Sequence, residues 1–173
     1  MNAKTPARPR GDAVRRWILN LALVVAVVLA ANWWQTRDLP DGQAPVLSAR
    51  LVTGEPVNLG HYHGRVLLVH FWAQWCPICR AEQGTIASIA RDFPVLTVAM
   101  DSGQAAEVRD QLRREGLKFP TIADADGEIA AAWRVRAVPV SFVIDPEGRI
   151  RFRAVGYTTE LGLRARLLAA ERF

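Results

Sequence analysis

Val66-Leu-Leu-Val-His-Phe-Trp-Ala-Gln-Trp-Cys-Pro-Ile-Cys-Arg80 is the stretch on which the fold turns. Val66 to Phe71 is an apolar run broken only by His70, as expected of a strand buried on both faces. Arg80 to Arg91 then reads as a helix. Between them stand the chain's two cysteines, Cys76 and Cys79. At such a junction Cys76 lies at a helix N-terminus, where free backbone N–H groups and the helix dipole favour a thiolate. Cys79 follows one turn later, close enough to close a disulfide. Pro77 suits the first helical position, where its missing N–H is not needed. Cys76 is then the exposed attacking sulfur, and Cys79 the buried one that resolves a mixed disulfide. A bare C-x-x-C equally fits a static disulfide or half a zinc site.

The surrounding sequence alternates strands and helices. Leu47–Leu51 and Val57–Leu59 flank a Thr53-Gly54 turn and read as a short hairpin. Val95–Met100 is a second buried strand, and Gln104–Glu115 an amphipathic helix stopped by Gly116. Phe119–Ala123 reads as a strand and Glu128–Trp133 as a short helix. Val140–Ile144, the turn Asp145-Pro-Glu-Gly148 and Ile150–Val155 form a hairpin, and Thr158–Glu171 a closing helix. This order predicts an α/β domain, a mixed sheet with helices on both faces.

Phe71-Trp-Ala-x-Trp-Cys-x-x-Cys79 resembles the active-site signature of thioredoxin-fold proteins, and Ala137-Val138-Pro139 resembles their cis-proline loop. Phe119-Pro-Thr, Phe142-Val-Ile-Asp145, Gly148 and Gly156 extend the likeness over most of residues 46–172. The pattern is similar to the membrane-anchored TlpA/ResA/CcmG (DsbE) branch. Cys-Pro-Ile-Cys followed by Arg80-Ala-Glu82 is most similar to ScsD-like (suppressor of copper sensitivity) proteins.

The resemblance implies a thioredoxin-like fold and a protein-disulfide oxidoreductase whose redox group is the Cys76/Cys79 pair, with no other cofactor. It makes Pro139 cis beside the cysteines, with the Val138 backbone pairing with an extended substrate segment. Trp72 and Trp75 pack around the site, and Pro77 and Ile78 face the substrate. His70 stands six residues before Cys76, where thioredoxin has a buried Asp serving the resolving cysteine. A histidine there either exchanges a proton with Cys79 or is a core residue bonded to the backbone. Glu82 matches an acidic residue of ResA-like proteins. It either raises the thiol pKa by like-charge repulsion or is a solvated residue of the helix's first turn. The implied partners are proteins carrying disulfides or thiols and a DsbD/ScsB-type membrane electron donor, with reduction the expected direction.

Two cysteines cannot staple a disulfide-dense miniature fold, so a hydrophobic core must hold the domain. Half of the 173 residues are hydrophobic and 23% charged, which excludes a disordered chain and a multi-span membrane protein. The net charge of +5 is local. Lys4, Arg8, Arg10, Arg15 and Arg16 face one acid, Asp12, within the first sixteen residues. The remainder holds 17 of the 22 cations and 16 of the 17 acids, which leaves no footprint for nucleic acid.

Trp17 to Trp34 is uncharged and spans about 27 Å as a helix, near the thickness of a bilayer core. Tryptophans at both ends and the preceding cations give the expected organisation. Residues 1–16 form a cytoplasmic basic segment, 17–34 a single transmembrane anchor, 35–45 a linker and 46–173 the exported domain, at a bacterial inner membrane with the domain in the periplasm. A cleaved signal near Val28-Leu29-Ala30 is the rival reading, and Arg15-Arg16 weakly suggests a twin-arginine signal. His61-x-His63 with the cysteines offers four nominal metal ligands, and a copper carrier is the alternative function. The flanking Gly60 and Gly64 favour a polar turn, so no metal site is assigned.

Overall fold

The computed structural model describes residues 10–172, so the part of the basic segment before Arg10 lies outside the described residues. The chain divides into two units, the first ending at Arg37 and the second beginning at Asp38. The first contains one helix, α1 (Arg10–Thr36). Within it, Val14–Thr36 is long and apolar enough to cross a membrane, with a mean hydropathy of 1.9. The helix runs past both ends of the Trp17–Trp34 segment, from Arg10 to Thr36.

The second unit is built on a six-stranded sheet. Its strands are β1 (Gly42–Gln43), β4 (Leu67–Trp72), β5 (Val95–Met100), β6 (Thr121–Asp124), β7 (Val140–Ile144) and β8 (Arg149–Val155), in the order β1-β8-β7-β4-β5-β6. β4, β5 and β6 are parallel, while β7, β8 and β1 each pair antiparallel. A separate hairpin of β2 (Ser48–Arg50) and β3 (Pro56–Asn58) precedes β4. It covers the β6 edge through a Leu51–Ile122 bridge and a Val52 N–H bond to the Thr121 carbonyl at 2.8 Å. The helices are α2 (Pro77–Ile89), α3 (Ala105–Arg114), α4 (Glu128–Ala132) and α5 (Glu160–Ala170).

All six residues of β4 are buried, because it is central and covered on both faces. Leu68 and Trp72 pack with Ile86 and Ile89 of α2, Val108 and Leu112 of α3, and Leu163 and Leu167 of α5. Leu67, Val69 and Phe71 point to the opposite face, against Phe142, Val57 and Trp133, the residue just after α4. There the Trp133 and Phe142 rings meet edge to face, 5.0 Å apart. Helices therefore lie on both faces, as the element order predicts.

Most boundaries differ from the sequence reading by one or two residues, and three of the differences have a clear local cause. Residues 35–45, expected as linker, include the last turn of α1 and the edge strand β1, and Leu39 and Ala44 pack into the core. A two-residue strand has no periodicity to betray it. Helix α2 starts at Pro77 and not Arg80, because Cys76 caps it and Pro77 fits its first position. β6 starts at Thr121 because Pro120 has no N–H to give to the ladder. Elsewhere the signals place elements closely: α3 is followed by Gly116 at φ 68°, a left-handed position that suits glycine.

Candidate active site

The C-terminal end of β4 delivers Ala73-Gln-Trp-Cys76 to the start of α2. This loop is fastened to the end of β5. Gln74 N–H donates to Ser102 Oγ at 2.9 Å, and that hydroxyl donates to the Met100 carbonyl at 2.8 Å. Cys76 is the N-cap of α2, extended at φ −88° and ψ 111°, and its Sγ accepts the Cys79 N–H at 3.1 Å. A sulfur held against a free helical N–H is where a thiolate is best stabilised. The two cysteines are joined in a disulfide. Cys79 is fully buried. The expectation of an exposed Cys76 is corrected: it is 4% exposed, still the more accessible of the two, because neighbouring loops close over it.

One of those loops carries Pro139. The Val138–Pro139 peptide bond is cis, and the Val138 carbonyl oxygen lies 3.7 Å from Cys76 Sγ. Val138 is half-buried and Pro139 buried. Trp75, Pro77 and Ile78 are exposed around the cysteine pair. Trp72 is a core residue, 1% exposed, its indole N–H donating to Thr97 Oγ1 at 3.2 Å and its ring edge to face with Phe119. It points inward because alternate β4 side chains face the α2 side of the sheet.

His70 is buried on β4, with Nδ1 2.9 Å from Ser141 Oγ. The two residues are directly opposite in the β4–β7 ladder. Burial lowers the imidazole pKa to about 3, so the ring is neutral across the physiological range.

Glu82 is not a solvated first-turn residue. It is fully buried on α2, one turn beyond Cys79. Its Oε1 accepts the Thr158 N–H at 3.0 Å, while Oε2 is buried without a hydrogen-bond partner. Burial raises its pKa to about 7, against the opposing pull of the Thr158 bond.

These two groups have opposite pH signatures. The folded state holds the Glu82 proton more tightly than the unfolded chain does, so its contribution to stability is full below the ordinary 4.5 and lost as pH rises through about 7. The contribution of His70 is present above 6.5 and lost as pH falls towards 3. The stability of Glu82→Gln relative to the parent is therefore expected to increase from pH 4.5 to about 7 and then level off. Urea unfolding midpoints of the two proteins across that range measure it, and a constant difference contradicts the assignment.

His61 lies in a 3-10 turn, Leu59–Tyr62, with Nε2 3.1 Å from Asn58 Nδ2. Among the described residues no three His, Cys, Asp or Glu side chains converge as metal ligands. Sequence reasoning missed Thr158, Ser141 and Ser102, each of which meets its partner across a separation that carries no spacing signal.

The AhpC/TSA family model matches residues 40–153 of the chain. A thioredoxin-like protein of Haemophilus influenzae is 36% identical over 107 residues, which cover 61% of this chain and 64% of that one. A thiol:disulfide interchange protein DsbE homolog of Paracoccus denitrificans is 33% identical over 151 residues, 80% of this chain and 83% of the relative. Among solved structures, a thiol:disulfide interchange protein of the thioredoxin family from Chlorobium tepidum superposes with a TM-score of 0.66 at 25% identity. That match covers 77% of this chain and 98% of the other.

Proposed function

The chain belongs to the AhpC/TSA family of thioredoxin-like proteins and is a thiol:disulfide oxidoreductase of the DsbE/ResA kind, and we propose that it reduces selected periplasmic protein disulfides from a membrane anchor. The observation that carries this reading is the position of the cysteine pair: Cys76 caps α2 and sits 3.7 Å from the carbonyl that precedes cis Pro139.

In the proposed cycle the Cys76 thiolate attacks one sulfur of a substrate disulfide. A Cys76–substrate mixed disulfide forms, and the first substrate thiolate leaves. The Cys79 thiolate then attacks Cys76 Sγ, closing the Cys76–Cys79 bond and expelling the second substrate thiolate. Two electrons pass to the substrate, and a dithiol donor of the DsbD/ScsB type returns two to the pair. The cysteines suffice as the redox group, with no further cofactor.

The Val138 backbone and Pro139 loop, with Trp75, Pro77 and Ile78, form the docking surface for the substrate segment. Glu82 tunes the pair: once ionised, above about pH 7, its charge opposes thiolate formation one turn away. A neutral, Ser141-bound imidazole favours a core role for His70 over proton exchange with Cys79. The α1 span and the cations before it support a single-pass inner-membrane protein with its domain outside. A copper carrier on the same pair gains no support from the relatives, which are thiol:disulfide interchange proteins and oxidoreductases.

Direction is tested by acid-quenching intact cells and alkylating free thiols. Cys76 and Cys79 are expected to be mainly reduced, and oxidised when the membrane donor is deleted. A pair that stays oxidised with the donor present would overturn the reducing assignment.

A further inference from the structure

The near balance of charge after Arg16 hides a local excess at the end of the sheet opposite the cysteines. β4, β5 and β6 are parallel, so the segments that enter them lie together at that end. They line a cleft of about 280 Å³. Tyr62 and Arg65 come from the segment before β4, Arg91 and Asp92 from that before β5, and Lys118 from that before β6. Backbone bonds tie the three segments together. Leu68 N–H donates to the Pro94 carbonyl at 3.0 Å, and Thr97 N–H to the Pro120 carbonyl at 2.8 Å. Arg65 N–H closes a turn on the Tyr62 carbonyl at 3.0 Å, which sets both side chains on the cleft.

Three cations and one acid line this cleft, and the acid is already taken. Asp92 is bound at 2.7 Å by Arg164, which does not line the cleft. The same arginine holds Glu160 at 2.8 Å. Arg91 donates to Ser88 Oγ at 3.0 Å, and among the described residues neither Arg65 nor Lys118 forms an ion pair. Arg65, Arg91 and Lys118 are all exposed. The Tyr62 ring packs against the core, which fixes where its hydroxyl stands. Burial raises its pKa against the opposing pull of Arg65, so the hydroxyl keeps its proton and can donate.

We propose that this cleft binds a phosphate group, with Arg65 and Lys118 supplying the charge and the Tyr62 hydroxyl a neutral donor.

The donor set fits the chemistry of that anion. An arginine presents its N–H groups as a planar fork, which bonds two phosphate oxygens at once. Lysine adds a compact charge, and the hydroxyl serves a further oxygen. Donors that converge from separate segments suit a tetrahedral anion better than a planar carboxylate. The six residues of β4 put about 20 Å between this end of the sheet and the cysteines, so a bound phosphate touches no part of the redox centre. The inference therefore stands apart from the exchange reaction. A soluble phosphate ester and a phospholipid headgroup share the required chemistry.

The test uses the full chain in a non-ionic detergent and follows acylation of Lys118 by mass spectrometry. Lys4, the only other lysine in the chain, is the internal reference. The probes are inorganic phosphate, glycerol 3-phosphate and phosphatidylglycerol, with chloride and acetate at equal ionic strength as controls. At ten times its half-protecting concentration, a phosphate probe should slow Lys118 acylation about tenfold and leave Lys4 unchanged. Arg65→Gln should raise the half-protecting concentration about tenfold, and Tyr62→Phe, which keeps the packed ring, about threefold. Neither variant should change the rate of disulfide exchange. Protection by the soluble phosphates supports the site as one for a free phosphate group, and protection by phosphatidylglycerol alone supports it as one for a lipid headgroup. Equal protection by chloride or acetate overturns the proposal. So does a lack of protection by every phosphate probe, or protection untouched by Arg65→Gln.

Discussion

In cells carrying the Cys79→Ser chain, covalent protein adducts are expected to accumulate on Cys76, and with Cys76→Ser none are expected. The asymmetry follows from the site. Cys76 caps α2, with its sulfur at the free N–H groups of the first turn and beside the Val138 carbonyl. Cys79 lies wholly beneath it. An incoming disulfide can meet only the outer sulfur, and only the inner one can break the resulting bond from within. Serine in place of Cys79 leaves the first attack intact and removes the second, so the mixed disulfide persists. Serine in place of Cys76 removes the nucleophile, and the buried thiol cannot replace it. Non-reducing gels after an acid quench read this out, and mass spectrometry of the adducts names the substrates. Equal adducts from both variants would mean that the two sulfurs are equally accessible, against the observed burial.

The part of the site carried by adjacent residues was legible before any coordinates. The apolar run to Phe71, the C-x-x-C and Pro77 are local, and each expresses a backbone requirement of a strand or a helix start. The parts that were not legible depend on long-range contact. Glu82 meets Thr158 across 76 residues, and His70 meets Ser141 across 71. Only the fold, through the α2–α5 packing and the β4–β7 register, brings those pairs together. This is why Glu82 could be read as a solvated first-turn residue and Cys76 as an exposed one. The start of α2 was hidden for a different reason: Pro77-Ile-Cys79 has weak helical character, and the cap that starts the helix is a cysteine and not a usual capping residue. Trp72 and Trp75 look alike as a pair of aromatics beside the cysteines, yet one is core and the other surface. Trp72 ends a strand buried on both faces, while Trp75 belongs to the loop that follows it.

The same contacts give the site a unity that sequence spacing does not express. The Pro139 loop, the Gly156–Thr158 turn and α2 are joined by the Gly156–Pro139 and Thr158–Glu82 bonds. The Pro139 loop and the cysteine pair thus share one framework, and a change at Glu82 is expected to reach both.

Cys76 and Cys79 alone are expected to form a reversible two-electron centre. The most direct measurement equilibrates the full chain in detergent with graded dithiol/disulfide buffers, a metal chelator present, and counts free thiols by alkylation and mass. One transition between a fully reduced and a fully oxidised pair is expected, the same from either direction. Its slope should be that of a two-electron couple, about 30 mV for each tenfold change in the ratio. A pair that stays locked in one state across the range, or that titrates only when copper is bound, would contradict it.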